Sequence, residues 1–249
     1  MTRSLTLLAL TLAAPFAIAA QDAPPRNGTE VLERMRAAYD GKWYHTLTFA
    51  QKTTTFRNGV KRIQSWHESL AHTAQGTQLR IDFGDPASGN GVLYTPDSSW
   101  RFQSGKLAAS NADGNAFLPL IEGVYVQPVA KTINELKPTK VDLSRMYVGS
   151  FNGKPVWVVG ASSASDLASP QFWVDPVQKV VVRFILSFGG PDPFDVTLDD
   201  YVQAGGGMLA TKVTMSVKGS PVQVEDYADW KTDVDLPPGL YDITSWVRH

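Results

Sequence analysis

The chain has 249 residues, no cysteine and a formal net charge of −1, from 23 Lys and Arg against 24 Asp and Glu. That composition excludes disulfides, thiolate metal sites and a cysteine nucleophile. It also leaves no basic excess to attract nucleic acid or an anionic membrane surface.

Residues 1–20 read as an export signal. Arg3 is a short positive start, residues 5–14 form an apolar run, and Ala17-Ile18-Ala19 supplies the small-x-small pattern of a cleavage site. The run is too short for a membrane span, which needs roughly 20 residues, and no later segment approaches one. Cleavage after Ala19 or Ala20 leaves about 229 residues starting near Gln21, with charge −2 once Arg3 is gone. No Cys follows the apolar run, so a lipid-anchored form is not expected. A single domain over residues 21–249 is large enough to bury a core without disulfides.

After a polar leader, Thr29 is the expected N-cap of a helix on which Val31, Leu32, Met35, Ala38 and Tyr39 share a face, with Gly41 after the last turn. Residues 43–57 are rich in aromatic and β-branched side chains, which suit a strand. Asn58-Gly59 is a strong hairpin signal, because a type I′ turn needs two positive φ angles, and a second strand follows over 60–72. Short strands are expected at 78–83, 91–94 and 99–102, with a brief return past Ser104-Gly105. Residues 115–125 and 129–136 read as short helices, separated by Pro128 and ended by Pro138. Strands resume at 146–151, 155–161, 171–174, 180–188, 194–203, 208–218 and 222–230, with turns that include Asn152-Gly153 and Gly219-Ser220. The fold class is mainly β (α+β). Roughly ten or eleven antiparallel strands form one large curved sheet or partial barrel, with helices against one face.

Most chemical motifs fail on inspection. His67 and His72 are five apart on a strand, so alternation sends them to opposite faces, and no zinc site results. There is no G-x-S-x-G elbow. Gly189-Gly190 and Gly205-Gly206-Gly207 lack the Lys-Ser/Thr and the helix of a phosphate loop, and read as turns. Asp195, Asp199, Asp200, Glu225, Asp226, Asp229, Asp233 and Asp235 read as a solvated face without calcium-ligand spacing. No metal and no cofactor is expected.

The informative pattern is apolar. Val156, Trp157, Val158 and Val159 run consecutively, as do Val180, Val181 and Val182, with Phe184, Ile185, Leu186 and Phe188 close behind. A sheet with one wet face alternates more cleanly. Both faces are therefore covered, or one lines an apolar cavity.

In order along the chain these segments resemble the periplasmic lipoprotein-carrier superfamily of LolA and LolB, the outer-membrane lipoprotein-sorting proteins. The helix at 31–39 leads into Leu47-Thr48-Phe49-Ala50-Gln51-Lys52, similar to the family's first strand with its Phe-x-Gln signature. Leu79-Arg80-Ile81-Asp82-Phe83 precedes Gly91-Val92-Leu93-Tyr94 and Trp100-Arg101-Phe102, in the family's order. Residues 115–121 sit where the family has its mid-chain helix. Phe172-Trp173-Val174-Asp175-Pro176 with Val182-Arg183-Phe184 resembles the later hairpin, and residues 236–242 resemble the closing segment. The chain is longer than the compact carriers, chiefly after residue 125.

The resemblance implies an unclosed β-barrel, lined with apolar side chains and lidded by helices, that holds acyl chains. It implies a periplasmic carrier or binding protein for lipids or lipoproteins without catalysis, whose partners are acyl chains and, in addition, envelope proteins. The implied cavity residues are Leu47, Phe49, Leu79, Ile81, Phe83, Leu93, Trp100, Phe102, Phe117, Leu120, Ile121, Phe172, Val174, Val182, Phe184, Val213 and Met215. The carriers gate the lid with an early-strand arginine, for which Arg57, Arg62 and Arg80 are in reach. The alternatives are an envelope-stress sensor of the same fold, or a hydrolase with His45 as general base.

Overall fold

The computed structural model describes residues 23–246; the expected export signal and its cleavage site lie outside them. Helix α1 spans Gly28–Ala38. Its N-cap is Asn27 rather than the expected Thr29, the Asn27 side chain accepting from the Glu30 amide at 3.0 Å. Asparagine caps as well as threonine or better, and here the helix starts two residues earlier than expected. The apolar stripe Val31, Leu32 and Met35 is buried. Gly28 is required at the first turn, because a Cβ there would stand 2.5 Å from Val159 Cγ1.

Thirteen strands follow, against the ten or eleven expected. The first six are β1 (Thr46–Arg57), β2 (Val60–Thr73), β3 (Gly76–Phe83), β4 (Gly91–Tyr94), β5 (Ser99–Gln103) and β6 (Lys106–Asn111). The last seven are β7 (Met146–Phe151), β8 (Lys154–Val159), β9 (Gln171–Val174), β10 (Val181–Leu186), β11 (Phe194–Ala204), β12 (Gly207–Val217) and β13 (Ser220–Thr232). The tight hairpins turn on X-Gly pairs with two positive φ angles, Asn58-Gly59, Ser104-Gly105 and Asn152-Gly153. The last turn is Lys218-Gly219, one residue before the expected Gly219-Ser220.

All strands belong to one antiparallel sheet, in the order β6-β5-β4-β3-β2-β1-β13-β12-β11-β10-β9-β8-β7. Two meanders thus spread outward from the central β1–β13 pair, and β6 and β7 are the two free edges. The sheet curls without closing. Bulges supply the bend: the β1–β13 register slips between Thr48 and Ala50, and Asp200 and Asp229 sit at positive φ inside β11 and β13.

Because the two edges are consecutive in sequence, residues 112–145 must cross from one to the other. That connection is the helical insert. It holds one π-helical turn (Pro119–Gly123), α2 (Val124–Val126) and α3 (Val129–Leu136). The expected helix over 115–125 begins later, at Pro119, because Asn115 spends its side chain accepting from the Phe117 amide at 2.9 Å. Together α1 and the insert cover the concave face, where the main core lies.

The convex face carries two smaller clusters. One gathers Val156, Val158, Ala161 and Trp173. The other gathers Leu93, Phe102 and Trp246 under the C-terminal segment. The consecutive valines of β8 are explained by this split: Trp157 and Val159 join the core under α1, while Val156 and Val158 point the other way.

Candidate functional site

Between the concave face and the insert lies a cavity of about 350 Å³. Its walls follow the register of the sheet. On β1 the inward residues are Leu47 and Phe49; Leu47 stands opposite Leu70, and Phe49 opposite Glu68. Leu70 and Glu68 pair in turn with Leu79 and Ile81, and Trp66 with Phe83. On the other side Val213 and Met215 pair with Leu198 and Val196, and Val196 with Phe184. The insert closes the top with Phe117, Leu118, Ile121 and Tyr125.

Ten of the seventeen expected residues line this space: Leu47, Phe49, Leu79, Ile81, Phe83, Phe117, Ile121, Phe184, Val213 and Met215. The other seven stand elsewhere, for three reasons. Leu93, Trp100 and Phe102 share the opposite face of β4 and β5 with Trp246, one residue out of phase with Val92 and Arg101. Val182 packs on the convex cluster, because the β9–β10 register slips between Val181 and Arg183. Phe172, Val174 and Leu120 are fully buried in the core, sealed away from the cavity.

The cavity also holds polar groups. Glu68 is 6% exposed and Glu225 is 7% exposed, and both line the space. Burial pushes both carboxyls above the ordinary carboxylate range, and Glu225 raises Glu68 further. Glu225 is held by Gln223 Nε2 at 2.6 Å and by the Tyr227 hydroxyl at 2.7 Å. Glu68 meets no protein donor among the described residues. Between them on β1 lies Gln51, whose Oε1 is buried without a partner, as is the indole N–H of Trp66.

Sequence reasoning placed Glu225 on a solvated face, and the structure overturns that: it is an inward residue of β13, opposite Thr53 and Val213. Glu68 was legible in principle, because Trp66, Glu68 and Leu70 alternate on one face.

A second polar group anchors the lid. Glu122, in the π turn, accepts from Trp43 Nε1 at 3.0 Å and from the Tyr44 hydroxyl at 2.7 Å. His72 Nε2 approaches Glu122 at 3.4 Å, close enough for ionic contact but not aligned as a hydrogen bond. Tyr125 stacks on Trp43 with ring centroids 3.8 Å apart. At the other end Phe117 meets Phe184 edge-on at 5.2 Å.

The remaining candidates stand apart from this space. His67 is exposed while His72 points inward, as alternation requires. His45 has a side chain 85% exposed and does not line the cavity. Arg80 is on the convex face, paired with Asp82 and the C-terminal segment, and Arg57 and Arg62 are exposed at the far end of the first hairpin. None of the three touches the lid. Among the described residues no group of three or more His, Asp or Glu is placed to hold a metal. No helix among them is long and apolar enough to cross a membrane.

No protein-family profile matches the chain, and no curated protein matches its sequence. Solved structures do. A putative outer membrane lipoprotein-sorting protein domain from Vibrio parahaemolyticus matches with TM-score 0.62 at 11% identity, covering 89% of this chain and 98% of its own. A DUF1329 family protein from Desulfovibrio piger matches with TM-score 0.60 at 12% identity, covering 88% and 97%. A LolA superfamily protein from Nitrosomonas europaea matches with TM-score 0.51 at 15% identity, covering 86% and 97%. Over nearly the whole length of those structures, this chain has the LolA-like fold: one large antiparallel sheet, curled but unclosed, with helices laid across its concave face.

Proposed function

We propose that the protein is a non-catalytic periplasmic carrier or binding protein that takes acyl chains of lipids or lipoproteins into this cavity. One observation carries the reading: an apolar space of about 350 Å³ is closed by a chain connection rather than by the sheet. An engineered cavity of ~150 Å³ holds the six carbons of benzene, so by proportion this one takes about fourteen such atoms. At about 0.8 kcal/mol per buried CH₂, a ten-carbon chain contributes about 8 kcal/mol before the costs of association. That is enough for capture and weak enough for release.

The lipoprotein-sorting description of one structural neighbour supports the cargo class, and the expected export signal at residues 1–20 supports the compartment. The sheet and its lid act as one functional unit over residues 21–249, with no cofactor. The exposure of His45 speaks against the hydrolase alternative.

The test is native mass spectrometry of protein purified gently from periplasm, with lipid extraction of any bound mass. A stoichiometric adduct releasing acyl lipid is the expected result, and Val213→Trp, which fills the space, should abolish it. A clean protein mass, together with no uptake of a fluorescent fatty-acid probe, would overturn the reading.

A further inference from the structure

The apolar walls account for chain capture but not for the polar groups set into them. A cavity that only held hydrocarbon would be best lined throughout by hydrocarbon, since each buried polar group without a partner is costly. Here an unpartnered carboxyl, that of Glu68, faces the space with only 6% exposure. Glu225 adds a second carboxyl, fixed in place by Gln223 and Tyr227. Phe49 pairs across the strands with Glu68 and is itself backed by Tyr227 at 4.5 Å, and Trp66 lines the same space.

The charge balance of the walls is one-sided. Among the described residues that line the space, the basic side chain is Arg101, and it is exposed at the mouth, over the Phe83 ring at 5.4 Å. The titratable groups facing Glu68 are Glu225 and Tyr227 from β13 and Tyr94 from β4. Glu122, from the lid, is already committed to Trp43, Tyr44 and His72. No cation is provided to the deep carboxyls by the protein itself.

We propose that the cavity selects amphiphiles with a protonated amine on an apolar body, the ammonium seated between Glu68 and Glu225. This rests on the reading of the cavity as a ligand site and names the chemistry that the site prefers. An ammonium has three donors and no acceptor, which matches two carboxyls. Its aromatic neighbours add cation–π attraction. An anionic head meets two carboxyls and is disfavoured. On docking, the Glu68 carboxylate pairs with the ammonium, so a proton that burial holds on Glu68 is released to solvent.

The test is isothermal titration calorimetry of the full protein with dodecylamine, dodecanol and dodecanoate, each below its aggregation threshold, in two buffers of different ionisation enthalpy. The expected order is amine tightest by at least tenfold, then alcohol, then carboxylate, with net proton release for the amine alone. Glu68→Gln should remove the amine preference, bringing the affinity for dodecylamine to that for dodecanol, and remove the proton release. Equal affinity for amine and alcohol, or tighter binding of the carboxylate, overturns amine selectivity and leaves chain capture standing. Binding of none of the three overturns chain capture and the amine preference with it.

Discussion

Arg80 offers the sharpest test of how the two faces of the sheet divide their work. Its side chain is 1% exposed, and its guanidinium grips Asp82 with two bonds of 2.9 Å. It also donates to the carbonyls of Trp246 at 3.0 Å and Leu240 at 3.3 Å, and lies 3.9 Å over the Trp246 ring. Trp246 in turn stacks on Phe102 at 4.2 Å, so Arg80 is the pin that fastens the C-terminal segment to the convex face. In Arg80→Ala the Asp82 carboxylate, its side chain 10% exposed, loses its counter-charge. Removing one partner of a buried pair costs about 3–5 kcal/mol, a large share of the ~5–15 kcal/mol that holds a domain together.

Urea unfolding followed by tryptophan fluorescence measures that loss, and hydrogen exchange over residues 240–246 measures release of the segment. The double replacement Arg80→Met with Asp82→Leu should regain most of the loss, since no buried charge is then stranded. Uptake of an apolar probe into the cavity should survive Arg80→Ala, because the arginine faces away from the lid. A stability loss under about 1 kcal/mol, the range of an exposed ion pair, would refute the account of the pin. Lost probe uptake in a folded Arg80→Ala protein would restore it as the gating arginine.

Two further outcomes concern the concave side. Glu68 and Glu225 have folded-state pKa values raised by burial, so the folded protein holds protons that the unfolded chain releases. Their contribution is fully present below the ordinary carboxylate range and is lost as pH rises through the folded-state values. The urea midpoint should therefore fall as pH rises above the ordinary carboxylate range, and Glu68→Gln should flatten that slope and stabilise the protein on its high-pH side; an unchanged slope would refute the assignment. Glu122→Ala strands the Trp43 and Tyr44 donors, costing about 1–3 kcal/mol. Hydrogen exchange should then quicken over residues 117–136 while the central strands keep their protection, and equal acceleration everywhere would refute a local latch.

The apolar frame was legible because it is periodic. Leu47, Phe49, Leu79 and Ile81 follow strict alternation, so the first three strands could be faced correctly from their residues alone. β4 and β5 could not. They are four and five residues long, too short for alternation to declare a face, and Leu93, Trp100 and Phe102 are as apolar as the residues that do look inward. What decides their side is Trp246, some 150 residues away in sequence. Val182 was lost to the bulge at Val181, a feature with no local signature. Glu225 was hidden by its acidic neighbours: Asp226 and Asp229 are outward residues of the same strand, and charge density alone cannot distinguish the two faces.

Topology decides how the lid is attached to the sheet. The lid joins β6 to β7, the two free edges, and no strand pairs across the mouth. Opening it therefore breaks no ladder hydrogen bond. Its attachments are side-chain contacts: the Glu122 cluster, the Tyr125–Trp43 stack, the Tyr125 hydroxyl donating to the Lys179 carbonyl, Phe117 against Phe184 and Phe188, and the burial of Leu118, Leu120, Val124 and Leu136 in the core. Attached by side-chain contacts and not by ladder bonds, the insert should open at a lower free energy than the sheet, the difference that hydrogen exchange over residues 117–136 measures.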